Sequence, residues 1–121
     1  MTDLPRRLRA QAEQCDLHGS PLTARILHGA ADDFEAGGPT ADLLGPHAED
    51  PSGTVPSLRL AGALHRLVLQ RQAPELALHY PSVGGTAGID GVWPVARETI
   101  RTHLDQLRVD VRRPVQTNEV E

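Results

Sequence analysis

The sequence predicts an all-α fold: a compact, irregular, orthogonal bundle of about five helices around a central helix near residues 57–70. Three observations carry that expectation. Apolar residues recur at intervals of three and four through most of the chain, and no convincing alternating strand pattern interrupts them. Aliphatic residues dominate the 39% hydrophobic content, while Phe34, Tyr80 and Trp93 are the only aromatics, a composition that suits packed helices better than strands. Proline and glycine cluster between the periodic stretches, where turns are needed.

Leu4, Leu8, Ala12 and Cys15 share one helical face, which places a first helix near residues 4–17, ending around His18 to Ser20. Ser20 and Pro21 then supply an N-cap and a proline at the first helical position. Leu22, Ile26, Leu27, Ala30, Ala31 and Phe34 extend that second helix to about residue 36, where Gly37, Gly38 and Pro39 stop it. A short helical turn at Thr40 to Leu44 leads into "GPHAEDPSGTVP", a connector with three prolines and two glycines. The fourth helix follows from about Ser57 to Gln70, then a short helix from Pro74 to His79. "PSVGGTAGIDGVW" reads as a flexible surface loop, its glycine spacing unlike that of a phosphate cradle. From near Pro94, the stripe Trp93, Ala96, Ile100, Leu104, Leu107 and Val111 predicts one final amphipathic helix.

The fourth helix is apolar over more than half its circumference, with only Arg59, Arg66 and Gln70 on the remaining side. Such a helix is surrounded by neighbours. His65 falls at the edge of its buried arc, where a neutral imidazole requires a hydrogen-bond partner, so a structural role comes first. The alternative groups His65 with His79 and Tyr80 in a polar pocket able to move protons near neutral pH. No nucleophile or third fixed group is visible beside them, so His65, His79 and Tyr80 are weak catalytic candidates.

Other chemistries are narrowed by composition. All twelve basic residues are arginine, which removes phosphate-loop lysines, Schiff bases and serine–lysine dyads. The net charge of −4, with both signs interspersed, offers no footprint for nucleic acid. The six histidines are scattered without H-x-x-x-H spacing, so no metal site is expected. Asp32 and Asp33 point about 100° apart on a helix and read as surface charges. Cys15, the single cysteine, lies on an apolar face as a buried thiol. The lack of a disulfide pair, signal segment or membrane span points to a cytoplasmic protein with no membrane partner.

The segments "LRAQAEQC", "GSPLTARILHGAADDFEAGGP", "LRLAGALHRLVLQRQAPELALHYPSVGG" and "RRPVQTNEV" resemble the start of an uncharacterised bacterial family, domain of unknown function 2332, over about Leu4 to Val120. The resemblance implies that residues 1–121 form one helical amino-terminal domain of a longer protein. It further implies that relatives continue after "QTNEV" toward a glycine-containing turn similar to the nucleotide-binding start of S-adenosylmethionine-dependent methyltransferases. Glu121 stands where a glycine is expected, so the chain resembles a truncated relative, and no cofactor-binding residue carries over. S-adenosylmethionine is then a cofactor for full-length relatives, and none is expected in this chain. The expected function is a helical accessory module that covers a missing carboxy-terminal catalytic domain, with His65, His79, Tyr80 and Asn118 toward that face. The alternatives are a self-sufficient helical interaction module whose spare apolar surface pairs with an identical or different chain, as in a dimer, or a small enzyme using His65 and Tyr80 in acid–base chemistry.

Overall fold

The computed structural model describes residues 3–48, 56–86 and 88–112, and within them the chain is α-helical with no strand. The helices are α1 (Leu4–Leu17), α2 (Pro21–Glu35), α3 (Pro39–Leu44), α4 (Pro56–Leu69), α5 (Pro74–Ala77), α6 (Val92–Thr102) and α7 (Leu104–Asp110). The described residues thus hold seven helical segments where about five were expected, three of them short (α3, α5 and α7), with α7 arising from a division of the expected last helix. Much of the expected loop over residues 49–55, and the "PVQTNEV" segment with Asn118, lie outside the described residues.

Helices α1 and α2 pack side by side, joined at His18–Ser20, where Gly19 takes a φ of +82°. Ser20 is the N-cap position of α2 and Pro21 its first residue, although the Ser20 side chain makes no capping bond. Leu4, Leu8 and Ala12 face Leu22, Ile26, Leu27 and Ala30 in the apolar core. Arg9 reinforces the pair from outside through Asp32 and Glu35.

The central position of α4 follows from its sequence. Ten of its fourteen residues are buried, and it meets α1, α2, α5, α6 and α7. Leu60, Leu64 and Leu67 lose all contact with water. Burying three leucines contributes very roughly 1.5–3 kcal/mol each, which exceeds anything helix propensity supplies. Arg59, on the less apolar side, donates to the Val111 carbonyl at 3.0 Å just past the end of α7, where a cation meets the negative end of a helix.

The expected last helix is broken. His103 has φ −109° and ψ 27°, separating α6 from α7. Thr99 turns its hydroxyl back onto the Val95 carbonyl at 2.8 Å, a bond that bends helices, and β-branched Thr102 precedes the break. The bend lets Ile100 and Leu107 both reach the core.

A second departure concerns Asp33. It is buried, not a surface charge: its side chain is 4% exposed, against 77% for Asp32. One carboxylate oxygen accepts from Arg97 Nε at 2.9 Å, and the other accepts from the Thr40 amide at the start of α3, also at 2.9 Å. Burial alone would raise its pKa; the hydrogen bonds from Arg97 and Thr40 outweigh that and hold the carboxyl below its ordinary range. A single carboxylate therefore ties α2, α3 and α6 together. Nearby, Gly29 of α2 supports the Trp93 indole so closely that a methyl group there would overlap the ring.

Candidate functional site

The carboxy-terminal end of α4 brings together two of the three expected site residues. His65 and Tyr80 stack with ring centroids 5.3 Å apart and planes inclined by 11°. Both are buried. His65 Nε2 also lies 2.9 Å from the hydroxyl oxygen of Ser82, a residue with no helical spacing or motif to single it out in the sequence. His79 does not join them through any bond among the described contacts; its Nδ1 lies 2.8 Å from the Gly88 carbonyl and must carry the proton to donate there.

Ser82 is fixed by a tightly folded turn, where a flexible loop was expected. After α5 the chain makes a 3-10 turn over Pro81–Val83, and Gly84 follows at φ +87°. The Gly85 amide donates to the Tyr80 carbonyl at 2.8 Å, and the Thr86 amide to Leu78 at 3.0 Å. A Cβ on Gly85 would lie 2.6 Å from both the Ala77 carbonyl oxygen and the Tyr80 nitrogen, so only glycine fits without moving backbone. Ser82 and Gly88 are both exposed yet each meets an imidazole, His65 at Ser82 and His79 at Gly88.

Chemically, a serine hydroxyl beside an imidazole is the first half of a nucleophile and base pair. Acyl transfer also needs donors aimed at the developing oxyanion. The Val83, Gly84 and Gly85 amides are committed to the Tyr80 and Pro81 carbonyls, so these three supply none. The same commitment removes the turn as an anion-binding nest. Its geometry instead sets the position of Val83.

Val83 forms one wall of an open groove of about 600 Å³ that also includes Val68, Leu69, Arg71, Pro74 and Ala77. Leu69 and Val83 remain 51% and 42% exposed, and Leu78, next to Ala77, is 69% exposed. Leu17, Ile89 and Val109 are exposed elsewhere, but Leu69 and Val83 line one groove together, and apolar side chains sharing a concave surface are a feature of contact sites. Arg71 is the one charged residue in the lining. It is also the one non-glycine residue at positive φ, +60°, among those described. Its backbone closes α4: the Arg71 amide bonds the Val68 carbonyl at 3.1 Å and the Gln72 amide bonds Leu67 at 2.9 Å. This is the Schellman arrangement, with arginine where glycine is usual.

A second cleft of about 200 Å³ between α5 and α6 includes Glu75, Glu98 and His103. No group of three histidine, cysteine or acidic side chains among the described residues could hold a metal ion. No helix there is long and apolar enough to cross a membrane.

The model of the family described as "Uncharacterized protein conserved in bacteria (DUF2332)" matches residues 5–121. The chain belongs to that family. No curated protein and no solved structure matches it. For this DUF2332 member, functional meaning therefore has to come from the site itself. The groove beside the His65–Tyr80–Ser82 cluster is the part of the described surface where apolar exposure, fixed geometry and a lone charge coincide.

Proposed function

We propose that this DUF2332 chain is a helical accessory module that docks, through the apolar groove at the end of α4, onto a catalytic domain of methyltransferase type, and has no activity alone. The observation that carries the docking reading is the exposure of Leu69 and Val83 in a groove whose rim is tied by backbone hydrogen bonds, with exposed Leu78 next in sequence to the lining residue Ala77. A surface fixed before binding loses little conformational freedom on association, which favours specific contact. His65 and Tyr80 then act as scaffolding: they hold Ser82, and through it Val83, in place. The methyltransferase character of the partner comes from the family resemblance.

The test is a pair of measurements on the purified chain. A dye that brightens on apolar surfaces should bind the folded chain, and Leu69→Glu with Leu78→Glu should abolish most of that signal while leaving the helical circular dichroism unchanged. S-adenosylmethionine titrated into the chain should release no heat. A cooperatively folded monomer with no dye-accessible apolar surface would remove the docking reading. A stable dimer in sedimentation, broken by the same double substitution, would transfer the groove to self-association.

A further inference from the structure

The docking reading, on which this inference rests, leaves open what the groove recognises, and Arg71 narrows that choice. Its backbone adopts a left-handed conformation that glycine takes without strain and arginine does not. Among the described residues no acidic side chain pairs with its guanidinium, although seven other arginine–carboxylate contacts occur there. It lies at the rim of a groove whose other five lining residues carry no charge. An uncharged partner surface closing over that rim would strand the cation as water leaves, at a cost that an opposing carboxylate offsets.

We propose that the groove seats a protein partner's apolar side chains surrounding one carboxylate, which pairs with Arg71. A single carboxylate fits better than an acidic stretch, because the chain's own charge of −4 repels strongly anionic partners at a distance. Hydrophobic contact with Val68, Leu69, Pro74, Ala77 and Val83 supplies affinity, and the ion pair fixes orientation.

Hexanoate, hexanol and hexylammonium, titrated into the full chain with amide chemical shifts as readout, isolate the charge from the apolar contact. Hexanoate should move the amides of Val68 to Arg71 and of Ala77 to Val83, and bind about five-fold more tightly than hexanol. Hexylammonium should bind more weakly than either. Arg71→Gly places the preferred residue at the turn, so the fold persists; it should erase the hexanoate advantage and leave hexanol binding unchanged. Equal binding of all three probes would overturn the carboxylate assignment while leaving the docking reading intact. Failure of every probe to perturb the groove would overturn both. Affinity climbing about four-fold for each added methylene from hexanoate through decanoate would assign the groove to a free fatty acid and overturn the protein-partner proposal.

Discussion

Asp32 and Asp33 show how far one helical step separates two identical side chains. Asp32 points to solvent beside Arg9, whereas Asp33 is enclosed by α3 and α6. Because its folded pKa is depressed, Asp33 contributes stability that is complete above its unfolded pKa and lost as pH falls through the folded value. Urea midpoints should therefore not change through this group from neutral pH to about 5 and should fall below about pH 4. Asp33→Ala should cost about 2 kcal/mol, leaving the Thr40 amide and Arg97 without their acceptor, and should flatten that acid limb. Asp32→Ala should change stability by less than about 0.5 kcal/mol. Arg71→Gly should run the other way, raising stability by about 1 kcal/mol in the same denaturation measurement because it relieves a left-handed arginine. Burial of Leu60, Leu64 and Cys15 was legible from spacing alone. The roles of Asp33, Ser82 and Arg71 were not, because each depends on groups at least seven residues away or on a backbone angle that local pattern does not encode.

Among the elements, α4 matched its expected limits within one residue and stands surrounded as its wide apolar arc required. Helices α1 and α2 were equally readable, since their stripes and the Ser20–Pro21 start are local signals. The break between α6 and α7 was hidden because Ile100, Leu104 and Leu107 continue the three-and-four spacing straight across His103. Spacing records which residues seek the core, not whether the backbone bends to bring them there. The exposed turn after α5 has a geometry that the sequence does not encode, for a related reason: glycine marks freedom in sequence but can mark crowding in the fold. Gly85→Ala should accordingly cost 2 kcal/mol or more, about the upper range for overpacking, because backbone and not a pliable side chain blocks the new methyl group. Its His65 ring protons should shift as Ser82 moves away, which distinguishes local displacement from general destabilisation.

At the scale of the whole molecule, the aliphatic core assembled by the helices of the described residues leaves one end of the central helix with apolar side chains in water. That end is where His65, Tyr80 and Ser82 lock a turn against the bundle, and where Arg71 adds a charge. Docking would bury Leu69, Leu78 and Val83 together, so a bound partner should raise the melting temperature with the logarithm of its concentration over its Kd once that ratio is well above one. The double substitution Leu69→Glu, Leu78→Glu should abolish that rise without lowering the melting temperature of the unbound chain by more than a few degrees, since both side chains are already in water.

The indole resting on Gly29 has a practical corollary. Trp93 is the sole tryptophan, so the intrinsic emission of this molecule watches one joint, where α2 meets α6. Tyr80, the sole tyrosine, watches another, at the far reach of α4. Near-ultraviolet signals from the two chromophores can thus be followed separately through a melt, revealing whether the groove-bearing corner loosens before the remainder of the bundle lets go.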